Sequence, residues 1–289
     1  LSVDGENEMK HLSTSLLLTI FISLNCTAQL LVGPVVSGSV SKVFFFDDQF
    51  RYQSSPTLGF DLGLMASMRV HKNFVLNGQL LYSQRGRHVT GVNDPRSDNK
   101  FDLYSSMQYI ELPLFYVLEF KKNTGTYTGQ GGQTKTYNWF IGGGPVISYW
   151  LSNSGTIKSS YLLESNIESL EYTTVFGKVK ETSDPVADAQ IEGITDPNRF
   201  QFGLNLTGGF AFQPVGANKI VTSVHVYFAQ TFLSDKGDGF FPISFVDVDL
   251  LKVKNHTIRF SVAYLFDTKI ETRNKGKSTQ KTVTRKRKR

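Results

Sequence analysis

Two groups of residues have the types and spacing to do chemistry. Ser223 and His225 are one residue apart, so on an extended chain they share a face, as a nucleophile and its base would. A hydrolase also needs a third group to orient the base, and the sequence identifies none. A Ser-x-His pair serves equally well as a hydrogen-bonding layer, so no catalytic residue is assigned. The second group is Asp61, Glu111, Glu119 and Arg259, with Arg85 as a further partner. These ionisable side chains interrupt otherwise apolar stretches. They either line a proton or ion path or neutralise one another as a polar network, and since buried charge is normally paired, the network is the expectation. Asp235 to Gly239 and Asp247-Val248-Asp249 are rich in oxygen but lack the spacing of a calcium loop, and read as turns. Gly129 to Gly132 lacks the Lys-Ser/Thr of a phosphate loop. No metal or cofactor is expected.

Glu111 and Glu119 lie in YIELPLFYVLEF, residues 109 to 120. Read with period two, this stretch puts Ile110, Leu112, Leu114, Tyr116, Leu118 and Phe120 on one face and both carboxylates on the other. A face greasy throughout, backed by a polar one, is the pattern of a lipid-facing barrel strand. Seven further stretches alternate in the same way, near 30–40, 57–68, 74–85, 138–151, 199–212, 219–234 and 256–266. Asp61 and Arg259 fall on the polar faces of the second and the last. Pro113 cannot donate a ladder bond, which predicts a bulge or kink there. Gly142-Gly143-Gly144 predicts curvature or room for a bulky neighbour. Trp139, Trp150 and the tyrosines near strand ends are expected to form interfacial girdles.

The connections alternate in length, as long outer loops and short periplasmic turns would. Residues 41–56, 86–103, 152–198 and 235–254 are long, 69–73 and 213–218 are short, and 121–137 is intermediate. The expected fold is therefore all-β: an eight-stranded antiparallel up-and-down transmembrane β-barrel with long extracellular loops and short periplasmic turns. An even strand count puts both termini in the periplasm.

The net charge of +6 invites a nucleic-acid reading. Residues 268–289, however, hold ten Lys or Arg against Glu271, a net of +9, and residues 1–10 carry −2, so the remainder is about −1. Lys10 and His11, the apolar run Leu16 to Leu24 and the small residues before Gln29 form a signal peptide over 1–28. Met9 is the natural initiator, which makes 1–8 an over-extended gene start. Cleavage after Ala28 removes the single cysteine, Cys26. The barrel then occupies 29–267, followed by a basic, disordered tail over 268–289. An exported chain has no nucleic-acid partner; outer-membrane lipid is the expected surroundings, and envelope proteins are the expected partners of loop 152–198 and the tail.

YIELPLFYVLEF, the following WFIGGGPVISYWLS and the earlier NFVLNGQLLYSQRG resemble strands of the PorT-like outer-membrane β-barrel family of Bacteroidetes. The resemblance covers about Leu30 to Phe266. It implies an integral barrel of the bacterial outer membrane and, through the family's named member, a part in type IX protein secretion. The expected function is a non-enzymatic scaffold or accessory component. The alternatives are a lipid-modifying hydrolase of the outer membrane and a soluble ligand-binding barrel, whose lumen would be apolar and exterior polar.

Overall fold

The structure, a computed structural model, describes residues 30–45, 52–92, 100–121, 136–177, 191–194, 196–213, 218–234, 238–240, 249–250 and 252–267. The signal segment, the intermediate connection and the tail lie outside them.

Eight strands close into a ring: β1 (Leu30–Phe45), β3 (Thr57–Arg69), β4 (Phe74–Val92), β5 (Lys100–Lys121), β6 (Thr136–Ser159), β9 (Phe200–Gln213), β10 (Lys219–Ala229) and β13 (Val253–Asp267). Taken in the order given, each pairs antiparallel with the next, the ring passing over the short elements between β1 and β3, β6 and β9, and β10 and β13, and β13 closes on β1. Leu31 pairs with Asp267, so the described barrel starts and finishes at one end. That terminal end also holds the 69–73 turn and the adjoining ends of β9 and β10 at Gln213 and Lys219. Short elements gather at the opposite, loop end: β2 (Tyr52–Ser55), α1 (Ser160–Glu164), β7 (Leu170–Phe176), β8 (Ile191–Ile194), β11 (Asp238–Phe240) and β12 (Asp249–Leu250).

Which half of each zigzag faces out decides the fold's solvent. Leu112, Phe202 and Phe260 are 40%, 52% and 57% exposed, whereas Asn205 and Arg259 are 4% and 5% exposed. The apolar faces look outward and the polar faces toward the axis. This overturns the soluble ligand-binding barrel, which requires the reverse. On β5 the outward apolar run from Ile110 to Phe120 spans ten residue steps, about 33 Å of strand at about 3.3 Å per residue. Tilted by about 40°, that run is about 25 Å tall, the height of a membrane-embedded apolar band. Its terminal-end rim is aromatic: Phe120 stacks on Trp139 at 4.0 Å and Tyr137 on Phe212 at 4.6 Å.

Toward the loop end the outward residues turn polar at registered positions. Tyr82, Ile110 and Tyr149 are neighbours across β4, β5 and β6, and the next outward row is Gln84, Gln108 and Ser152. Gln84 donates to Ser106 at 2.6 Å, and Ser152 donates to Gln108 at 2.7 Å. Above that row the strands continue as a sheet with polar residues outward, while inside Val89, Leu103 and Ile157 are buried around Leu162 beside buried Arg87, Ser105 and Asn153. Much of the expected loops 41–56, 86–103, 152–198 and 235–254 is thus strand.

Two local expectations are corrected. The β5–β6 register is unbroken through Pro113–Val146, and the shift falls between Gln108 and Tyr109, where Leu151 is the extra residue. On the β4 side, pairing passes from Leu81–Glu111 to Gly78–Leu114 without a shift, so the missing N–H interrupts bonding but inserts nothing. Trp139 is 46% exposed at the terminal-end rim, but Trp150 is fully buried and joins no girdle. The extra residue just after it marks where inside and outside exchange. The glycines do permit close approach: a Cβ on Gly144 would lie 2.1 Å from the Leu114 carbonyl oxygen, and one on Gly203 would lie 2.3 Å from the Tyr227 ring.

Candidate functional site: the filled lumen and the loop-end sheet

Eight strands leave an interior that side chains can fill. Near the loop-end edge of the apolar band the filling is charged. Arg259 Nε lies 2.7 Å from Asp61 Oδ2 and its Nη2 lies 2.8 Å from Glu111 Oε2. Arg85 pairs with the other oxygen of Glu111, and Ser83 donates to Asp61. Two cations thus face two anions, with Arg85 and Glu111 both at 0% exposure. The Arg85 guanidinium also lies 4.3 Å from the Tyr227 ring centre and 5.1 Å from that of Tyr109, which supports a cation on its π face. Strand alternation explains the convergence: Asp61, Ser83, Arg85, Glu111 and Arg259 all occupy lumen-facing positions of β3, β4, β5 and β13.

Glu119 does not join them. It is eight residues along β5 from Glu111, about 26 Å at the usual rise. There it meets Lys219 at 2.5 Å, Arg69 at 3.1 Å and the Asn138 amide at 3.4 Å. Between the two ionic layers sits an apolar one containing Val35, Met65, Phe115, Val117 and Phe140. Above the charged layer, Met107, Tyr109, Trp150, Ile194, Leu233 and Val253 form a cap. The lumen is a stack of ion pairs and grease, closed at these levels.

Ser223 and His225 face this lumen as well, and the structure adds a residue the sequence reading missed. Asn205 on β9 lies 3.1 Å from His225 Nδ1, and His225 Nε2 lies 2.9 Å from Ser223 Oγ. Both imidazole nitrogens are thus engaged, and Ser223, His225 and Asn205 form one buried hydrogen-bonded chain. All three side chains are buried, and Phe115 packs edge-on against the imidazole at 5.4 Å.

At the loop end, the cap elements are pinned by a polar knot. Buried Glu192 on β8 accepts from Thr174 on β7 at 2.5 Å and from Asn153 on β6 at 3.2 Å. Arg199 lies 4.6 Å from the Tyr149 ring centre and 4.8 Å from that of Phe176, and donates to the Trp150 carbonyl at 3.2 Å. Among the described residues no three His, Cys, Asp or Glu side chains gather as a metal site would require. Asp235 and Asp247, weighed for calcium, lie outside the described residues.

Comparison with known proteins accords with this architecture. A family profile described as "Outer membrane protein beta-barrel domain" matches residues 27–231. No curated protein matches the chain. Solved structures that align with it include Ail, the attachment invasion locus protein of Yersinia pestis, at 12% identity and TM-score 0.30, covering 82% of this chain and 99% of that one. Neisserial surface protein A aligns at 11% identity and TM-score 0.30, covering 81% and 97%. The translocator domain of the autotransporter NalP from Neisseria meningitidis aligns at 9% identity and TM-score 0.29, covering 91% and 98%.

Proposed function

Because the chain belongs to the family of the outer membrane protein beta-barrel domain, we propose that it is a non-enzymatic scaffold or accessory component of that membrane, working in protein export. The observation that carries this reading is the filled lumen: Arg85 and Glu111 are 0% exposed, with apolar clusters on either side of them, which favours a barrel that serves as a scaffold over one that passes solute. Work then falls to the loop-end sheet outside the membrane and to the basic segment 268–289, on the periplasmic side in this reading. The strand resemblance to PorT-like proteins points the export role toward type IX secretion. Affinity capture from detergent-solubilised envelopes, with and without 268–289, is expected to recover envelope proteins that depend on the tail, and deletion of the gene is expected to deplete secreted cargo. Identical partners and undiminished secretion would sink the proposal.

The Ser223–His225–Asn205 chain favours a second reading, hydrolysis of membrane lipid. Its burial opposes this. Ser223→Ala and His225→Ala are expected to leave envelope lipid composition unchanged while lowering unfolding free energy by about 1–3 kcal/mol, since each strands a buried polar partner. Mass spectrometry of the lipids decides: a product lost in both variants makes the protein an enzyme.

A further inference from the structure

The outward surface changes character on the side of the barrel opposite the loop-end sheet. Lys42 and Phe44 on β1 are paired with His256 and Lys254 on β13, so cation and ring alternate across the two strands. Phe44 and His256 meet edge-on at 4.9 Å, Phe228 on β10 lies 5.8 Å from the same imidazole, and Lys42 Nζ sits 5.5 Å from the Phe44 ring centre. Phe44, Leu204, Phe228, Gln230, Lys254 and His256 line an open groove of about 370 Å³, and among the described residues no carboxylate lines it. Its height is readable from the strand. His256 is ten residues from Phe266 along β13, the same length as Ile110 to Phe120 on β5, so the groove lies at the loop-end edge of the apolar band. Directly below it, Val40, Ile258 and Leu206 are exposed and apolar.

Lys254 lines this groove and Lys42 stands beside it, in register with the lining residue His256, so apolar walls on the membrane side meet cations at the headgroup level, the chemistry of a lipid carrying phosphate. We propose that it binds one phosphorylated glycolipid of the outer leaflet, with phosphate against Lys42 and Lys254 and an acyl chain along Leu204 and Phe228. The assignment rests on the loop end being extracellular. Aromatic rings beside the lysines hold the cations in place on their faces, and phosphate gains most where such cations sit at the bilayer surface.

The test uses the full chain purified in detergent, with diphosphoryl lipid A as probe and dephosphorylated lipid A, phosphatidylglycerol and inorganic phosphate as competitors, read by native mass spectrometry. One bound diphosphoryl lipid A is expected, displaced by none of the three. A cationic residue at the bilayer surface is worth roughly fivefold in affinity, so Lys42→Ser is expected to weaken binding about fivefold and Lys42→Ser with Lys254→Ser about 25-fold. The single variant keeps the test open if the double variant does not fold. Undiminished binding by Lys42→Ser, or equal competition by phosphatidylglycerol or inorganic phosphate, overturns the proposal. An epitope inserted within 93–99 and stained on intact cells tests orientation separately. Staining without lipid selectivity defeats the lipid assignment alone, whereas absent staining defeats the orientation and the outer-leaflet source with it.

Discussion

Replacing Arg259 with alanine is expected to cost about 3–5 kcal/mol of unfolding free energy, the usual penalty for leaving buried charge without its partner. Arg259 bridges Asp61 and Glu111 at 2.7 and 2.8 Å. Its loss leaves Glu111 with Arg85 but strips Asp61 of its guanidinium, retaining only the Ser83 hydroxyl. A charge-free layer behaves differently, because the desolvation of all four ions disappears with them. Asp61→Asn, Glu111→Gln, Arg85→Met and Arg259→Met combined are therefore expected to recover most of the lost stability. Urea titration of the barrel folded into lipid vesicles measures both. A loss under about 1 kcal/mol for Arg259→Ala would be the exposed-pair value, and would mean that water, and not the ion pairs, solvates the charges.

The second large effect tests the membrane directly. Leu114→Arg, near the middle of the outward run on β5, is expected to cost about 2–4 kcal/mol in vesicles, while Phe120→Arg at its rim costs about 0–1 kcal/mol. Both side chains point outward, and loss of the Phe120–Trp139 stack adds to the rim cost, so a larger cost at Leu114 reports depth in the bilayer. Equal costs at the two positions would remove the apolar band as an explanation for the exposed leucines and phenylalanines.

All eight ring strands were legible in the sequence because the two-residue period there separates residues with opposite solvents. Phe202 against Gln201 and Phe260 against Arg259 leave no doubt about which half is greasy. The reading stopped short where the outer solvent changes. Past Tyr82 on β4 the outward residues are Gln84, Gly86 and His88, and the inward ones Arg85, Arg87 and Val89. The period persists there, but its contrast weakens, and from residue 86 onward the pattern reads as loop. The charged layer was legible as a set of lumen-facing residues but not as a grouping. Face assignment places Asp61, Glu111, Glu119 and Arg259 inside without giving their heights, and height is what separates Glu119 from the rest. Asn205 was within reach: the short connection between Gln213 and Lys219 sets it opposite Tyr227, diagonal to His225. Trp150 was not, because its inward position depends on an inserted residue that alternation by itself cannot locate.

That inserted residue, Leu151, divides β6 into two reading frames. Below it the strand keeps step with the bilayer and with β9; above it the strand is out of phase and takes β7 as its neighbour. Any odd change in length between Trp150 and Asn153 would swap the frames, turning Asn153 and Ile157 out toward water and Ser154 and Thr156 into the cap. An even change would lengthen or shorten the projecting sheet and leave its sidedness intact. The upper storey of the molecule can therefore be resized only in steps of two.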